Sequence, residues 1–191
     1  MKRKKGSIEY VGALMLICLA GILMFFVISV KHVKLYQIKI KDSVDTSALS
    51  AAIIDMDTLM NDGGIVIDNP ARSREIFEKT LRYSLNLDYD LSPKDRQLFG
   101  RIEIHDFIVY EVTDGRRLVR YDIGRDGGCT ETSYDYDENP RTPDGKVIES
   151  ATIYVDIGMY VTGFLGITRY EHVRTSVDVV KNSKVGEDDN R

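Results

Sequence analysis

The chain has 191 residues, of which 26 are basic and 30 are acidic, so its formal net charge at pH 7 is −4. This length leaves room for one small domain with a core after a membrane segment is set aside. The composition argues against nucleic acid as a partner, because the only concentrated positive charge is the short run from Lys2 to Lys5.

An uncharged apolar segment, Val11 to Val30, follows a basic leader at residues 1–10. A helix of about 20 residues spans about 30 Å, the hydrocarbon thickness of a bilayer, so the segment predicts a transmembrane helix. The basic leader predicts a cytoplasmic N-terminus and an extracytoplasmic remainder. A cleaved signal peptide is the alternative. Its apolar core is shorter, about 7–15 residues, and ends in a small-x-small cleavage site that the sequence around Ser29 lacks. We therefore expect a retained single-pass anchor in the cell membrane.

Residues 31–62 predict an amphipathic helix that continues the span outside the membrane. Apolar residues recur there at spacings of three and four, at Val33, Tyr36, Ile40, Val44, Ala48 and Ala52. Neither proline nor glycine interrupts this pattern. We therefore expect a helix from about Ser7 to Asn61, with Ser43 and Thr46 as the positions where it would break.

Residues 63–180 predict a small extracytoplasmic α+β domain. Asp68 or Asn69 is expected to cap a helix that begins at Pro70 and ends near Leu85. Alternating apolar residues then predict four strands in a mainly antiparallel sheet, at 101–113, 116–123, 147–162 and 167–180.

The connections between these strands follow from their turn residues and polarity. A tight turn at Asp114–Gly115 joins the first two strands. In the third strand one face is apolar, formed by Ile153, Val155, Ile157, Met159 and Val161. Gly124 to Lys146 is expected to be a long polar loop, and residues 181–191 a disordered tail.

Few side chains suggest chemistry, and we predict a protein that is not an enzyme, with no catalytic residue, cofactor or metal. His105 and His172 lie on predicted strands and have room to face each other, but they lack a third ligand, which disfavours a metal site. The acidic segment 124–145 offers oxygen ligands for calcium at Asp126, Glu131, Asp135, Asp137, Glu138 and Asp144. It lacks the EF-hand spacing, so a solvated acidic loop is the favoured interpretation.

The two cysteines are predicted to lie in different environments. Cys18 is in the middle of the span and Cys129 is in the polar loop outside, so no disulfide joins them within one chain. A free surface thiol is the favoured interpretation of Cys129, and a disulfide between subunits is the alternative.

The leader and span, KKGSIEYVGALMLICLAG, resemble the N-terminus of the Tad/Flp pilins and the TadE-like minor pilins or pseudopilins. The matching residues are Gly6, Glu9 and Tyr10, with Glu9 three residues after the glycine where the family usually has five. The resemblance implies a long helix followed by a small domain, cleavage after Gly6 by a prepilin peptidase, and bundling of helices from several pilin-like subunits.

Helix packing in such an assembly gives a role to the small residues of the span, Gly12, Ala13, Ala20 and Gly21, because small side chains let membrane helices approach closely. A buried Glu9 would then pair with an amine from a neighbouring subunit. Ordinary membrane-helix composition is the alternative explanation for the glycines.

Two further hypotheses come from other classes of protein. A membrane-anchored binding module would present its acidic loop and strands to a cell-surface partner. An extracytoplasmic enzyme is the third, and no constellation in the sequence supports it.

Overall fold

The structure is a computed structural model that describes residues 6–61, 65–94, 99–113, 117–135, 140–163 and 166–179. Its helices are α1 (Gly6–Ala51), α2 (Met56–Asn61) and α3 (Pro70–Leu85). Its strands are β1 (Phe99–Thr113), β2 (Arg117–Ile123), β3 (Cys129–Asp135), β4 (Thr152–Thr162) and β5 (Thr168–Asp178). The predicted α+β class is confirmed. The predicted Asp114–Gly115 turn and the tail at 181–191 lie outside the described residues.

Helix α1 has 46 residues, a length of about 69 Å, and its two halves lie in different surroundings. From Tyr10 to Ile28 every side chain is exposed. Further along, Ile40, Val44, Ala48 and Ala51 are fully buried in the core of the domain. One continuous helix therefore supplies both an exposed apolar rod and part of the folded core.

The helix ends at Ala51, so the prediction of one helix to Asn61 was wrong. Ser43 and Thr46 do not break it. Their polar groups are accommodated within the helix, where Thr46 Oγ1 donates to Asp42 O at 2.7 Å and Ser47 Oγ donates to Ser43 O at 2.6 Å. The break follows Ala51, where the backbone leaves the helix to pair with residues 66–68: Asp55 N donates to Val66 O at 2.9 Å, and Asp68 N to Ile53 O at 2.9 Å.

Helix α3 forms as predicted, and Asn69 rather than Asp68 is its cap. Asn69 Oδ1 accepts from Arg72 N at 3.1 Å, and Pro70 occupies the first turn, where no intrahelical partner for an N–H is needed. The helix ends at Leu85 and is followed by its C-cap, Asn86, which adopts a left-handed conformation with φ 52°. Asparagine tolerates this conformation better than most residues.

The sheet has five antiparallel strands in the order β3-β2-β1-β4-β5. The fifth strand is β3, which lies inside the predicted polar loop at 124–146, so that prediction was wrong. The predicted strand at 147–162 begins only at Thr152, because residues 140–151 instead cross the outer face of the sheet.

The inner face of the sheet packs on α1 and α3. Its β4 residues are Ile153, Val155, Ile157, Met159 and Val161, which confirms the predicted apolar face. Phe77 of α3 lies against Phe107 of β1, with ring centroids 5.3 Å apart. Thr175 Oγ1 of β5 donates to Asp45 Oδ1 of α1 at 2.5 Å, which ties the far strand to the long helix.

The outer face carries a second, smaller core of Ile108, Tyr110, Leu118, Ile148 and Tyr154. The segment 140–151 covers it. Ile148 supplies the central side chain, and its N–H donates to Pro140 O at 2.8 Å. This cover stops short of Asp156, so the outer face beyond that residue, towards the span, is open.

Candidate functional site

The first candidate site is the exposed apolar half of α1. The described part of the chain contains one helix that is long and apolar enough to cross a membrane, with a mean hydropathy of 2.9 in its best window and no buried residue there. A core helix of a soluble protein would be mostly buried. The absence of any cover over this stretch is consistent with a single-pass membrane protein.

The small residues of this segment do not share one face. At 3.6 residues per turn, Ala13 and Ala20 lie within about 20° of each other, whereas Gly12 and Gly21 are on opposite sides. A Cβ added to either glycine would meet nothing within 4 Å in the described chain. Packing inside the subunit therefore does not require these glycines.

The resemblance to pilins depends on residues at the start of the same helix. Gly6 is its first residue, and Tyr10 is exposed one turn later. The side chain of Glu9 lies outside the described part of the structure. Its pairing with an amine of another subunit stays a prediction.

The second candidate site is a cluster of polar and aromatic side chains on the open outer face, which we call the tyrosine–histidine cluster. It comprises Glu103 and His105 from β1, Asp156 and Tyr160 from β4, and Tyr170, His172 and Arg174 from β5. The His105 and His172 rings lie 5.3 Å apart between centroids, and Tyr160 and Tyr170 lie 4.8 Å apart. The two histidines predicted to have room to face each other do so.

Gly158 is the reason that side chains from β1 and β5 meet. It lies on the strand between them, opposite Glu103 on one side and His172 on the other. A Cβ on Gly158 would overlap the Tyr170 hydroxyl and lie 2.5 Å from His105 Nε2. His105 and Tyr170 therefore make their contact in the space that a side chain at position 158 would fill.

A β-bulge in β1 also builds the cluster. The register with β4 shifts between Ile104 and Asp106, whereas Ile104 itself packs towards the inner core. The extra residue brings both His105 and Asp106 to exposed positions. Bulges commonly re-aim a side chain in this way.

Hydrogen bonds fix the cluster in one arrangement. Tyr170 Oη donates to Glu103 Oε2 at 3.1 Å and lies 2.7 Å from His105 Nε2. Because a phenol has one proton, His105 Nε2 is then the donor to Tyr170. Burial, followed by the Glu103 carboxylate, raises the pKa of Tyr170, so the phenol keeps its proton at neutral pH.

Asp156 anchors the other end of the cluster, where it is 5% exposed. Its Oδ1 lies 3.0 Å from His172 Nδ1, and its Oδ2 accepts from Arg174 Nε at 2.9 Å. The bond to this carboxylate raises the pKa of Arg174. A largely buried carboxylate with two partners orients both side chains above the sheet.

The described residues bring no three histidine, cysteine, aspartate or glutamate side chains together in a group that could hold a metal ion. Of the acidic residues at 124–145, Asp126 accepts from Gly128 N at 3.1 Å, Glu131 lies on β3, and Asp144 accepts from Ser176 Oγ at 2.6 Å. Asp137, Glu138 and the side chain of Asp135 lie outside the described part.

The cysteines are both free and exposed, and Cys129 is the first residue of the edge strand β3. Burial, and then the carboxylates of Glu131 and Asp122, raise the pKa of the Cys129 thiol. This environment makes the thiol less reactive at neutral pH than an ordinary exposed cysteine.

Comparison of the chain with protein-family models, with curated proteins and with solved structures finds no match. The pilin resemblance therefore depends on the sequence of the leader and span. The tyrosine–histidine cluster is identified from the structure, since only the strand order places residues 103, 158 and 172 side by side.

Proposed function

We propose that the protein is a non-enzymatic, membrane-anchored structural subunit of the TadE-like minor pilin or pseudopilin class. The N-terminus would be cytoplasmic and the α+β domain extracytoplasmic, in a surface pilus or secretion apparatus. Its helix would pack against the helices of other pilin-like subunits, after processing by a prepilin peptidase.

The observation that carries this proposal is the continuity of α1. Its first half is an uncovered apolar rod, and its second half is an integral part of the core through Ile40, Val44 and Ala48. A rod of this kind transmits the position of the membrane helix directly to the domain outside. An assembly subunit requires this rigid coupling. A domain that is only tethered to the membrane could instead be joined to its anchor by a flexible linker.

Two differently tagged copies in one membrane test the assembly. Glu9→Ala should leave the protein in the membrane but lower the co-purification of the second copy, because it removes the carboxylate that would pair with a neighbouring amine. Glu149→Ala, at an exposed carboxylate outside the span, is the control. Equal co-purification of both variants would refute the role of Glu9.

The packing face is tested by disulfide crosslinking in a background without Cys18 and Cys129. Ala13→Cys and Ala20→Cys lie on the face that the two alanines share and should crosslink two subunits. Met15→Cys and Ile22→Cys lie at nearly the same depths on the opposite side of the helix and should not. Crosslinking that is equal on both faces would show that the span has no preferred contact.

Processing is tested by the mass of the mature protein. A chain that begins at Ser7 supports cleavage after Gly6 by a prepilin peptidase. A chain that begins at Met1 identifies an uncleaved anchor and restricts the proposal to membrane-bound assembly.

A second candidate function is a membrane-anchored binding module for a cell-surface partner. The tyrosine–histidine cluster favours it, because the exposed Tyr160 ring lies edge to face against Tyr170 beside polar side chains, and an exposed aromatic face can stack on a sugar ring. Tyr160, whose ring contacts that of Tyr170, is 55% exposed.

Sedimentation of the full-length protein with purified peptidoglycan tests this second function. Tyr160→Ala should weaken binding about tenfold or more if the ring is a central contact. Tyr83→Ala removes a tyrosine of α3 that is 79% exposed, and should have no effect. The same affinity in both variants, or no sedimentation of the wild type, would reject the binding-module function.

A further inference from the structure

A groove of about 730 Å³ lies between α1 and the β4–β5 hairpin. One wall is α1 from Phe26 to Gln37, and the other is the end of β4 and the start of β5, including Val161, Ile167 and Arg169. The groove is open to the surroundings along the helix. Its lining is predominantly apolar.

The position of the groove along α1 places it at the membrane boundary. The uncharged segment ends at Val30, and Lys31 is the first charged residue after it. Phe26 lies about 6 Å before Val30 along the helix axis, and Gln37 about 10 Å after it. One end of the groove is therefore level with lipid tails, and the other is level with headgroups.

The lining of the groove combines apolar and charged side chains. Phe26, Val30 and Val33 are apolar, and Lys34, Arg169 and Glu171 are charged. Arg169 Nε forms an ion pair with Glu171 Oε1 at 3.1 Å, which offsets part of its charge. Lys34 is exposed on α1.

The helix around this groove is strongly basic. Lys31, Lys34, Lys39 and Lys41 follow the span, and the first acidic residue after it is Asp42. Lysine side chains next to a membrane span attract anionic lipid headgroups. The apolar lining of the groove and its two cations, Lys34 and Arg169, together match an amphipathic anion.

We propose that the groove is a binding site for one anionic phospholipid of the leaflet around the C-terminal end of the span. An acyl chain lies against Val30 and Val33, and the phosphate group lies between Lys34 and Arg169. The hairpin wall, with Ile167 69% exposed, lies at the membrane surface beside the lipid. This inference depends on the membrane insertion of α1 that the proposed function includes.

The test uses the full-length protein in nanodiscs of phosphatidylcholine or of an equimolar mixture with phosphatidylglycerol. Native mass spectrometry of the released protein counts bound lipids. The wild type should retain phosphatidylglycerol in preference to phosphatidylcholine. Lys34→Gln and Arg169→Gln should each reduce that preference about fivefold.

The matched control is Lys39→Gln, which removes a lysine from the same helix on the side away from the groove. Ile167→Asp keeps both cations but puts a charge in the apolar wall, and should also abolish retention. An equal loss in Lys39→Gln, or undiminished retention in the Lys34 and Arg169 variants, would overturn the site. So would a lipid-free dimer in the wild type, which would show that a second copy fills the groove.

Failure of the lipid site and failure of the anchor give different results. Resistance of every variant to alkaline extraction from membranes, without selective lipid retention, would reject only the groove. Extraction of the wild type into the aqueous phase would reject the membrane anchor itself.

Discussion

Glu111 is a carboxylate that the fold holds in its interior, 3% exposed on the inner face of β1. Its Oε1 accepts from Ile67 N at 2.9 Å, and it also shares a hydrogen bond with Tyr121. By accepting the bond from Ile67, the Glu111 carboxylate holds the segment after α2 against the sheet. Burial is the main effect on its pKa, which is raised above the ordinary value of a glutamate.

Replacement of Glu111 tests that role. Glu111→Ala leaves the buried Ile67 N–H without its acceptor, and should lower the free energy of unfolding by about 1–3 kcal/mol. Glu111→Gln keeps an acceptor and should be less destabilising. Denaturant unfolding of the full-length protein in detergent micelles measures both. Equal stability of the alanine variant and the wild type would show that the bond contributes nothing.

The same residue predicts a pH dependence. A carboxyl whose pKa is raised on folding binds more protons in the folded state. Its contribution to stability therefore falls as the pH rises from the unfolded value of about 4.5 through the folded pKa. Relative to Glu111→Gln, the wild type should gain stability as the pH is lowered from 7 to about 4. A difference that is constant with pH would contradict the raised pKa.

Gly158 makes a residue-scale prediction for the tyrosine–histidine cluster. Gly158→Ala should displace the exposed ends of Tyr170 and His105 rather than unfold the sheet, because both are movable side chains. Tyr170 would then leave Glu103, and its phenol pKa should fall towards that of an ordinary tyrosine. NMR titration of isotope-labelled tyrosine measures this change. An unaltered Tyr170 titration would show that the glycine is not needed for the contact.

At the scale of the element, α3 depends on a single side chain at its start. Asn69→Ala removes the acceptor for Arg72 N and should lower the free energy of unfolding by about 0.5–2 kcal/mol. Lys79→Ala, at an exposed position of the same helix, should change it by less than about 0.5 kcal/mol. Equal effects of the two substitutions in the denaturant experiment would contradict the capping role.

The elements that the sequence predicted are those with a regular apolar pattern. Apolar residues recur at helical spacing in α3 and at every second position of β4, so their inner faces were identifiable. Strand β4 is itself buried on both faces, and Tyr160 is its exposed position. Strand β3, with the sequence CTETSYD, lies at an edge of the sheet and its described side chains are not buried, so hydrophobic periodicity could not mark it. Strand β3 forms because it pairs with β2, with Cys129 opposite Ile123. That pairing, and not an apolar pattern in its own residues, makes it a strand.

The end of α1 was predicted wrongly for a different reason. Apolar residues keep helical spacing past Ala51, but the pairing of residues 53–55 with 66–68 replaces the helix there. One local signal was present: Asp55 Oδ1 accepts from Asp57 N at 3.0 Å at the start of α2, as a helix cap does. The sequence indicated only part of the tyrosine–histidine cluster, since it gave His105 and His172 room to face each other. The role of Gly158 follows from its position between β1 and β5, which the sequence alone does not show.

At the scale of the whole molecule, the two flanks of the span are equally basic. Four basic residues precede it in the leader, and Lys31, Lys34, Lys39 and Lys41 follow it. The difference in charge that usually sets orientation is therefore small. The C-terminal side carries an entire folded domain, and long domains translocate largely regardless of their charge.

The native cysteines measure this orientation without added reporters. If the domain is extracytoplasmic, a membrane-impermeant maleimide added to intact cells should label Cys129, which is exposed on β3, and should not label Cys18 within the lipid. Because the Cys129 pKa is raised, its thiolate fraction is small at pH 7, so labelling should accelerate as the pH is raised towards 9. Cys129→Ser should remove the signal. Labelling of Cys129 only after lysis would place the domain in the cytoplasm, and with it the anionic-lipid groove in the inner leaflet.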